Sequence, residues 1–307
     1  MVVKKRNKKW LRTIGIIVLV LFIGLIGYGF YVYSSFTNAV DTAYEPTERD
    51  KSSKREEKII LEETEPFSVL MLGVDEREGD KGRSDTMILL SVNPNKNSIK
   101  LLSIPRDTRT DIIGHGTVDK INHAYAFGGV EMSVASVENF LDIPVDYYIK
   151  MNMEGFADIV DAVKGINVVN DLNFTQGSFQ FDKGEIHLDG KEALAYIRMR
   201  KNDPNGDFGR QKRQRQVIQG VIDKGASIGS LTRLDDIFEA IGKNVKTDIA
   251  FSEMVEIQQN YKQASNKIDQ LSLEGSGEYI GDIWYLIVPE EEKLRVQTEL
   301  KTHLELN

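Results

Sequence analysis

The stretch FSVLMLGVDEREGDKGRSDTMILLSVNPNKNSIKLLSIPRDTR, residues 67–109, decides the fold. It holds three apolar runs of strand length, Phe67–Val74, Met87–Val92 and Ile99–Ile104, separated by polar and glycine-containing segments. The turn-like NPNKN between the second and third runs predicts a hairpin. Each run is capped by charged residues. Asp75 closes the first, Arg83 and Asp85 open the second, and Arg106 and Asp107 close the third. Strand ends are where an α/β sheet opens its ligand crevice, so these five residues are candidates for a site.

Working outward, helical patterns are expected at about 119–127 and 130–141, a strand at 145–151 (VDYYIKM), a helix at about 154–163, and strands at Ile166–Val169 and Ala195–Met199. Beyond Phe208 the chain reads as mostly helical to about residue 262. It then offers strands at 267–273 and 282–288, read as a pair, and a helix over Glu290–Leu306. Strands interleaved with helices predict an α/β fold, a mixed central sheet covered by helices on both faces. No linker-like composition interrupts 60–307, which is read as one domain.

The N-terminal side is different. Ile14–Tyr33 is an uncharged run of membrane-spanning length, and the tyrosines at 28, 31 and 33 mark its outer end like an aromatic belt. A cleaved signal peptide would have a shorter apolar region and end in a small-x-small site, and a buried core helix would lack the flanking charge. The net charge of −8 averages two parts: residues 1–33 carry six basic residues and no acid, leaving 33 basic against 47 acidic residues, or −14, in the rest. The positive-inside rule therefore places residues 1–12 in the cytoplasm, an anchor at 13–33 and the body outside. Residues 34–61, polar and charged, read as a stalk, 62–228 as the catalytic core and 229–307 as the remainder of the same domain. A body at −14 excludes a general nucleic-acid grip. The absence of cysteine excludes disulfides, thiolate metal sites and cysteine nucleophiles.

Familiar catalytic signatures fail. There is no phosphate-binding G-x-x-x-x-G-K-[ST] loop and no H-E-x-x-H, and the four histidines (115, 123, 187, 303) are scattered. Gly225-Ala-Ser227-Ile-Gly229 has the form of a nucleophile elbow, but it follows a helical pattern where an elbow needs a strand. What remains is arginine. Arg198 and Arg200, read as lying in a strand, would share a face. Arg210 and Gln214 are four apart on a helix, with Arg213 beside them. Guanidinium forks bind phosphate oxygens bidentately and keep their charge, so several converging near two carboxylates that could hold a divalent cation suit a pyrophosphate. The competing reading is a set of surface ion pairs worth little.

LMLGVDE, GRSDTMILLSV, LLSIPRDTR, KINHAYAFGG, VDYYIKMNMEGFADIVDAVKGI and ALAYIRMRKNDPNGDFGRQKRQRQVI, in this order over about residues 62–228, resemble the LytR-CpsA-Psr family of wall glycopolymer ligases. With a short anchor and no added C-terminal domain, the chain is most similar to the family's wall teichoic acid ligases. The resemblance implies a domain enclosing an apolar tunnel for a polyprenyl chain with the pyrophosphate at its mouth. It also implies transfer of an anionic wall glycopolymer from undecaprenyl pyrophosphate to the C6 hydroxyl of N-acetylmuramic acid in peptidoglycan, forming a phosphodiester, in a Gram-positive-type envelope. By motif position it implies Asp75 and Asp85 as carboxylates for Mg2+ (or Mn2+), and Arg83, Arg106, Arg198, Arg200 and Arg210 as phosphate ligands. Lys120 and Gln214 fall at polar positions near the head group. Arg106, Asp107, Arg198 and Arg200 are the candidate catalytic residues, with Asp107 as a base for the hydroxyl. Two alternatives are a membrane-anchored polyprenyl-phosphate-binding regulatory protein and a pyrophosphate hydrolase.

Overall fold

The computed structural model describes residues 34, 37–75, 82–200, 203–227, 240 and 242–306. The expected cytoplasmic tail and membrane anchor lie outside the described residues. The core is a six-stranded mixed sheet with strand order β11-β6-β1-β2-β3-β12, numbered in chain order. β1 (Phe67–Val74), β2 (Ser84–Asn93) and β3 (Ser98–Ser103) form the antiparallel meander predicted from the opening stretch. β6 (Tyr147–Asn152) joins β1 in parallel, β12 (Ile268–Ser272) joins β3 in parallel, and β11 (Val245–Thr247) closes the other edge, while β4 (Arg109–Ile112) with β5 (Thr117–Lys120) and β8 (Phe174–Gln176) with β9 (Phe179–Phe181) form separate hairpins.

The two-residue period of β1 decides which layer each side chain enters. Leu70, Leu72 and Val74 enter a buried cluster with helices α1 (His123–Leu141) and α6 (Glu290–His303), through Val134, Val137, Leu141, Val296 and Leu300. The alternate residues Phe67 and Val69 face the opposite layer, where they pack with Tyr147, Ile249 and Tyr261 and with Met254 and Ile257 of helix α5 (Phe251–Asn260). A third cluster joins helices α2 (Met153–Ala162), α3 (Gly190–Arg198) and α4 (Gly206–Ser227) to the β7–β10 pair (Ile166–Asn170, Gly184–Leu188). Helices thus cover both faces, as expected. Helix α1 is kinked at Gly128 and Gly129, which separates the two helical stretches read from sequence.

Three local expectations change. Ala195–Met199 is not a strand: GKEALAYIR is helix α3, and Met199 begins the extended exit. Asp189 and Glu192 form a capping box at its start, and Ala193, Tyr196 and Ile197 bury one face at helical spacing. The 267–273 and 282–288 runs do not pair with each other. β12 completes the main sheet, while β14 (Ile283–Ile287) forms a hairpin with β13 (Ser276–Ile280). The segment expected as a stalk lies against the body from Ala39 onward. Ala39, Val40, Ala43, Ile59 and Leu61 are buried, Tyr148 Oη donates to the Glu45 carbonyl at 2.5 Å, and Arg55 grips Asp146 at 2.6 and 2.8 Å.

Candidate functional site: an arginine cleft over an apolar cavity

A cleft of about 1030 Å³ opens where β3 ends and helix α3 stops. Its walls include Arg106, Asp107, Arg198, Arg200 and Arg210. Sequence distance is no obstacle, because three separate devices bring these groups together. The loop after β3 is pinned by backbone bonds from Ile121 N to Thr108 O (2.8 Å) and from Asn122 N to Arg106 O (3.3 Å). Helix α3 ends at Arg198, and its exit is clamped by Arg213, whose guanidinium donates to the carbonyls of Tyr196 (3.1 Å) and Met199 (2.5 Å) and to Asp203 at 2.6 Å. The Asp203–Gly206 turn then starts helix α4, which supplies Arg210. A Cβ at Gly209 would fall 1.8 Å from Asp203 Oδ2, so only glycine admits that contact.

Within the cleft the carboxylates are shared. Asp107 lies 2.7 Å from Lys120 Nζ, 3.6 Å from Arg106 Nε and 3.9 Å from Arg200. Arg106 also donates to Asp85 at 2.8 Å. Asp85 is placed by a β-bulge. Gly73 pairs with Thr86 and Val74 with Ser84, so Asp85 is the extra residue. Without the bulge, two-residue alternation would send it with Met87 and Leu89 into the apolar core; instead about a third of its side chain is exposed. Three buried side-chain oxygens on the segments that carry these residues, Ser84 Oγ, Thr108 Oγ1 and Asn122 Oδ1, have no hydrogen-bond partner among the described residues.

Below the cleft lies an apolar cavity of about 60 Å³, bounded on the sheet side by Met71, Ile88, Ile149 and Met151 and on the helix side by Phe156, Ile197 and Ile218. Gln214 marks the junction: it lines the cavity, sits one helical turn after Arg210, and donates to Thr86 Oγ1 at 2.7 Å. Gly73 widens this end, since a Cβ there would meet the Thr86 Cβ at 2.9 Å. At about two water volumes the cavity is a narrow seam, and a long lipid tail would have to part helices α2–α4 from the sheet. An anion-binding mouth over an apolar seam is the geometry of a site for an anionic amphiphile.

A profile of the LytR_cpsA_psr family matches residues 30–302. The chain belongs to this family. It is 52% identical over 303 residues to the polyisoprenyl-teichoic acid–peptidoglycan teichoic acid transferase TagU of Halalkalibacterium halodurans, covering 98% of this chain and all of that one. Among solved structures it is similar to Bacillus subtilis TagU (51% identity, TM-score 0.64, 79% of this chain and 98% of that one). It is also similar to TagT bound to LI-WTA (31% identity, TM-score 0.73, 85% and 99%).

For this family member the cleft sorts the predicted residues. Arg106, Asp107, Arg198, Arg200 and Arg210 line it, Lys120 and Asp85 reach it through Asp107 and Arg106, and Gln214 lines the apolar cavity instead, one helical turn from Arg210. Asp75 and Arg83 stand at the adjoining ends of β1 and β2, joined by Asp75 N to Arg83 O at 3.2 Å, and do not line the cleft. Arg198 and Arg200 reach the same wall although they are not in a strand, because the helix ends between them. In the Gly225–Gly229 motif, Ser227 is the last residue of helix α4, so a helix and not the strand of a nucleophile elbow leads into it, and residues 228 and 229 lie outside the described residues. Sequence reasoning missed Asp203 and Trp284, and it set Arg213 beside the phosphate-binding face where the structure makes it the clamp on the exit of helix α3. The Asp203-Pro-Asn-Gly206 turn ahead of a basic helix was a usable signal for Asp203.

Proposed function

We propose that the protein is a polyisoprenyl-teichoic acid–peptidoglycan teichoic acid transferase that moves an anionic wall glycopolymer from a polyprenyl pyrophosphate to a peptidoglycan hydroxyl. The observation that carries this reading is the convergence of Arg106, Arg198, Arg200 and Arg210 on one cleft above an apolar seam, in a chain whose relatives bear that name. In this reading the guanidinium groups and Lys120 bind the pyrophosphate, and the prenyl tail enters between the sheet and helices α2–α4. The N-acetylmuramic acid C6 oxygen bonds to the polymer's phosphorus while the bond to the bridging oxygen breaks. Charge gathers on the departing undecaprenyl phosphate, and preorganised arginines stabilise it there.

Asp107 is the candidate acceptor of the hydroxyl proton, and pyrophosphate drawing Lys120 away would free its carboxylate. Asp75 and Asp85 would hold Mg2+ (or Mn2+), which supplies positive charge against the phosphate oxygens. The two carboxylates stand at the adjoining ends of β1 and β2, with Asp85 turned out of the apolar core by the bulge, and Mg2+ commonly takes one or two carboxylates together with substrate phosphate oxygens.

The apolar Ile14–Tyr33 run would anchor the chain in the cell membrane, N-terminus inside, with the domain on the outer face of a Gram-positive-type envelope. Because the chain is packed from Ala39, the body would be held close to the surface where a lipid-linked donor resides. The test gives the full chain lipid-linked polymer and peptidoglycan. Polymer joined to glycan through a phosphodiester is expected, and free polymer phosphate would instead mark a hydrolase.

A further inference from the structure

The transferase reading leaves open where the acceptor lies, and the C-terminal hairpin offers a place. We propose that the β13–β14 hairpin is the wall of the cleft that receives the acceptor's neutral glycan, with the Trp284 indole as the stacking surface for a pyranose ring; this rests on the transferase reading.

The hairpin is continuous with the arginine loop. Leu286 N donates to the Asp107 carbonyl at 2.9 Å, and Leu286 bridges Thr108. Its register pairs Gly277 with Leu286 and Tyr279 with Trp284, so these four residues share one face. Gly277, Trp284 and Leu286 line the cleft. The other face anchors the hairpin through Tyr285, which is buried, bonds Asp119 at 3.2 Å and lies 5.9 Å from both Arg109 and Lys120.

Gly277 is required by the indole. A Cβ there would stand 2.7 Å from Trp284 Nε1 and 2.8 Å from Cζ2, so the ring lies across bare backbone. Farther from the arginines, Tyr279 is 71% exposed, and the two rings form an aromatic strip leading out of the cleft. Aromatic faces bind the C–H face of a sugar ring, and the carboxamide of Gln176 on the cleft's other wall can serve hydroxyl and acetamido groups.

Charge selects between the two carbohydrate substrates. Residues 273–288 contain Glu274, Glu278 and Asp282 and no lysine, arginine or histidine. A phosphate-rich donor polymer is repelled by such a strip, whereas an uncharged glycan backbone is not.

The test uses the full chain with Trp10→Phe, which leaves Trp284 as the remaining tryptophan, titrated with the tetramer of N-acetylglucosamine, an uncharged probe of the glycan backbone. Tryptophan emission should change saturably. In the transfer assay Trp284→Ala should raise the acceptor KM roughly tenfold with donor KM unchanged, and Trp284→Phe should restore most of it. Tyr279→Ala, at an exposed position that folding tolerates, should raise the acceptor KM by a smaller factor. Unchanged emission together with an unchanged acceptor KM, or a rise confined to the donor KM, would overturn the proposal. If the wild type released only free polymer phosphate, the transferase reading would fail by itself, and the emission titration would still decide glycan binding.

Discussion

The two ends of the central sheet use the same side chains to opposite effect. At the end where β1 and β6 begin, Arg49 and Arg55 each have their own carboxylate. Arg49 meets Glu138 at 3.0 Å and Arg55 meets Asp146 at 2.6 Å, with both carboxylates almost fully buried. The surplus acceptor capacity is spent on local groups, as Ser52 Oγ and Val145 N donate to Glu138 and Ser68 N donates to Asp146. At the end where β3 stops, cations outnumber anions among the described residues. Asp107 is shared by Lys120, Arg106 and Arg200, Asp85 also takes Arg106, and Asp203 is taken by Arg213. Balanced pairs lock a structure, and a locally positive cleft favours an anionic ligand. Residue type alone does not separate the two, but stoichiometry does.

This contrast can be broken in four ways. Arg55→Ala leaves Asp146 buried without its partner and should cost about 3–5 kcal/mol of stability in denaturant titrations, with transfer rate per folded molecule unchanged. Arg106→Ala and Arg198→Ala should do the reverse. Each should lower kcat by about 10²–10³, the loss expected for one preorganised donor, while the midpoint of unfolding barely moves.

His303 offers a test by pH. It is buried between Ser91 Oγ (2.6 Å) and Ser98 Oγ (2.9 Å), and burial lowers its pKa from 6.5 to about 4. A depressed base stays neutral in the folded chain while the unfolded chain takes up a proton below pH 6.5. Its contribution is therefore present above that value and lost as pH falls toward 4, by roughly 3 kcal/mol at most. Asp248 acts oppositely in this window, since burial raises its pKa to about 6. The wild type should accordingly lose more stability than His303→Asn between pH 6.5 and 4, and equal slopes would remove His303 from the balanced end. The smallest effect is expected for Lys212→Ala. Lys212 pairs with Asp171 at 2.5 Å with more than half of each side chain exposed, so stability should change by less than about 1 kcal/mol and rate not at all.

Much of the fold was legible because β1, β2 and β3 are neighbours in sequence and in the sheet, and NPNKN turns one into the next. The site's arginines were legible as residues at element ends. Their geometry was less so. ALAYIR is short and apolar enough to pass for a strand, and the Asp189-x-x-Glu192 capping box was the signal that it is a helix. The packing of residues 39–61 rests on partners 89 to 103 positions away, such as Arg49 with Glu138 and Tyr148 with Glu45, which no local pattern encodes. The Gly281-Asp282 turn between SGEYI and IWYLI was a readable hairpin signal, and it would have separated β14 from β12.

The excess of cations at the open end is tested most directly by the dissociation constant of a soluble short-chain prenyl pyrophosphate, geranyl pyrophosphate, measured on the full chain by calorimetry. Arg198→Ala and Arg200→Ala should each weaken binding roughly tenfold while Arg55→Ala leaves it unchanged. Equal weakening by Arg55→Ala, or no change in either cleft variant, would contradict the assignment of the cleft to the pyrophosphate.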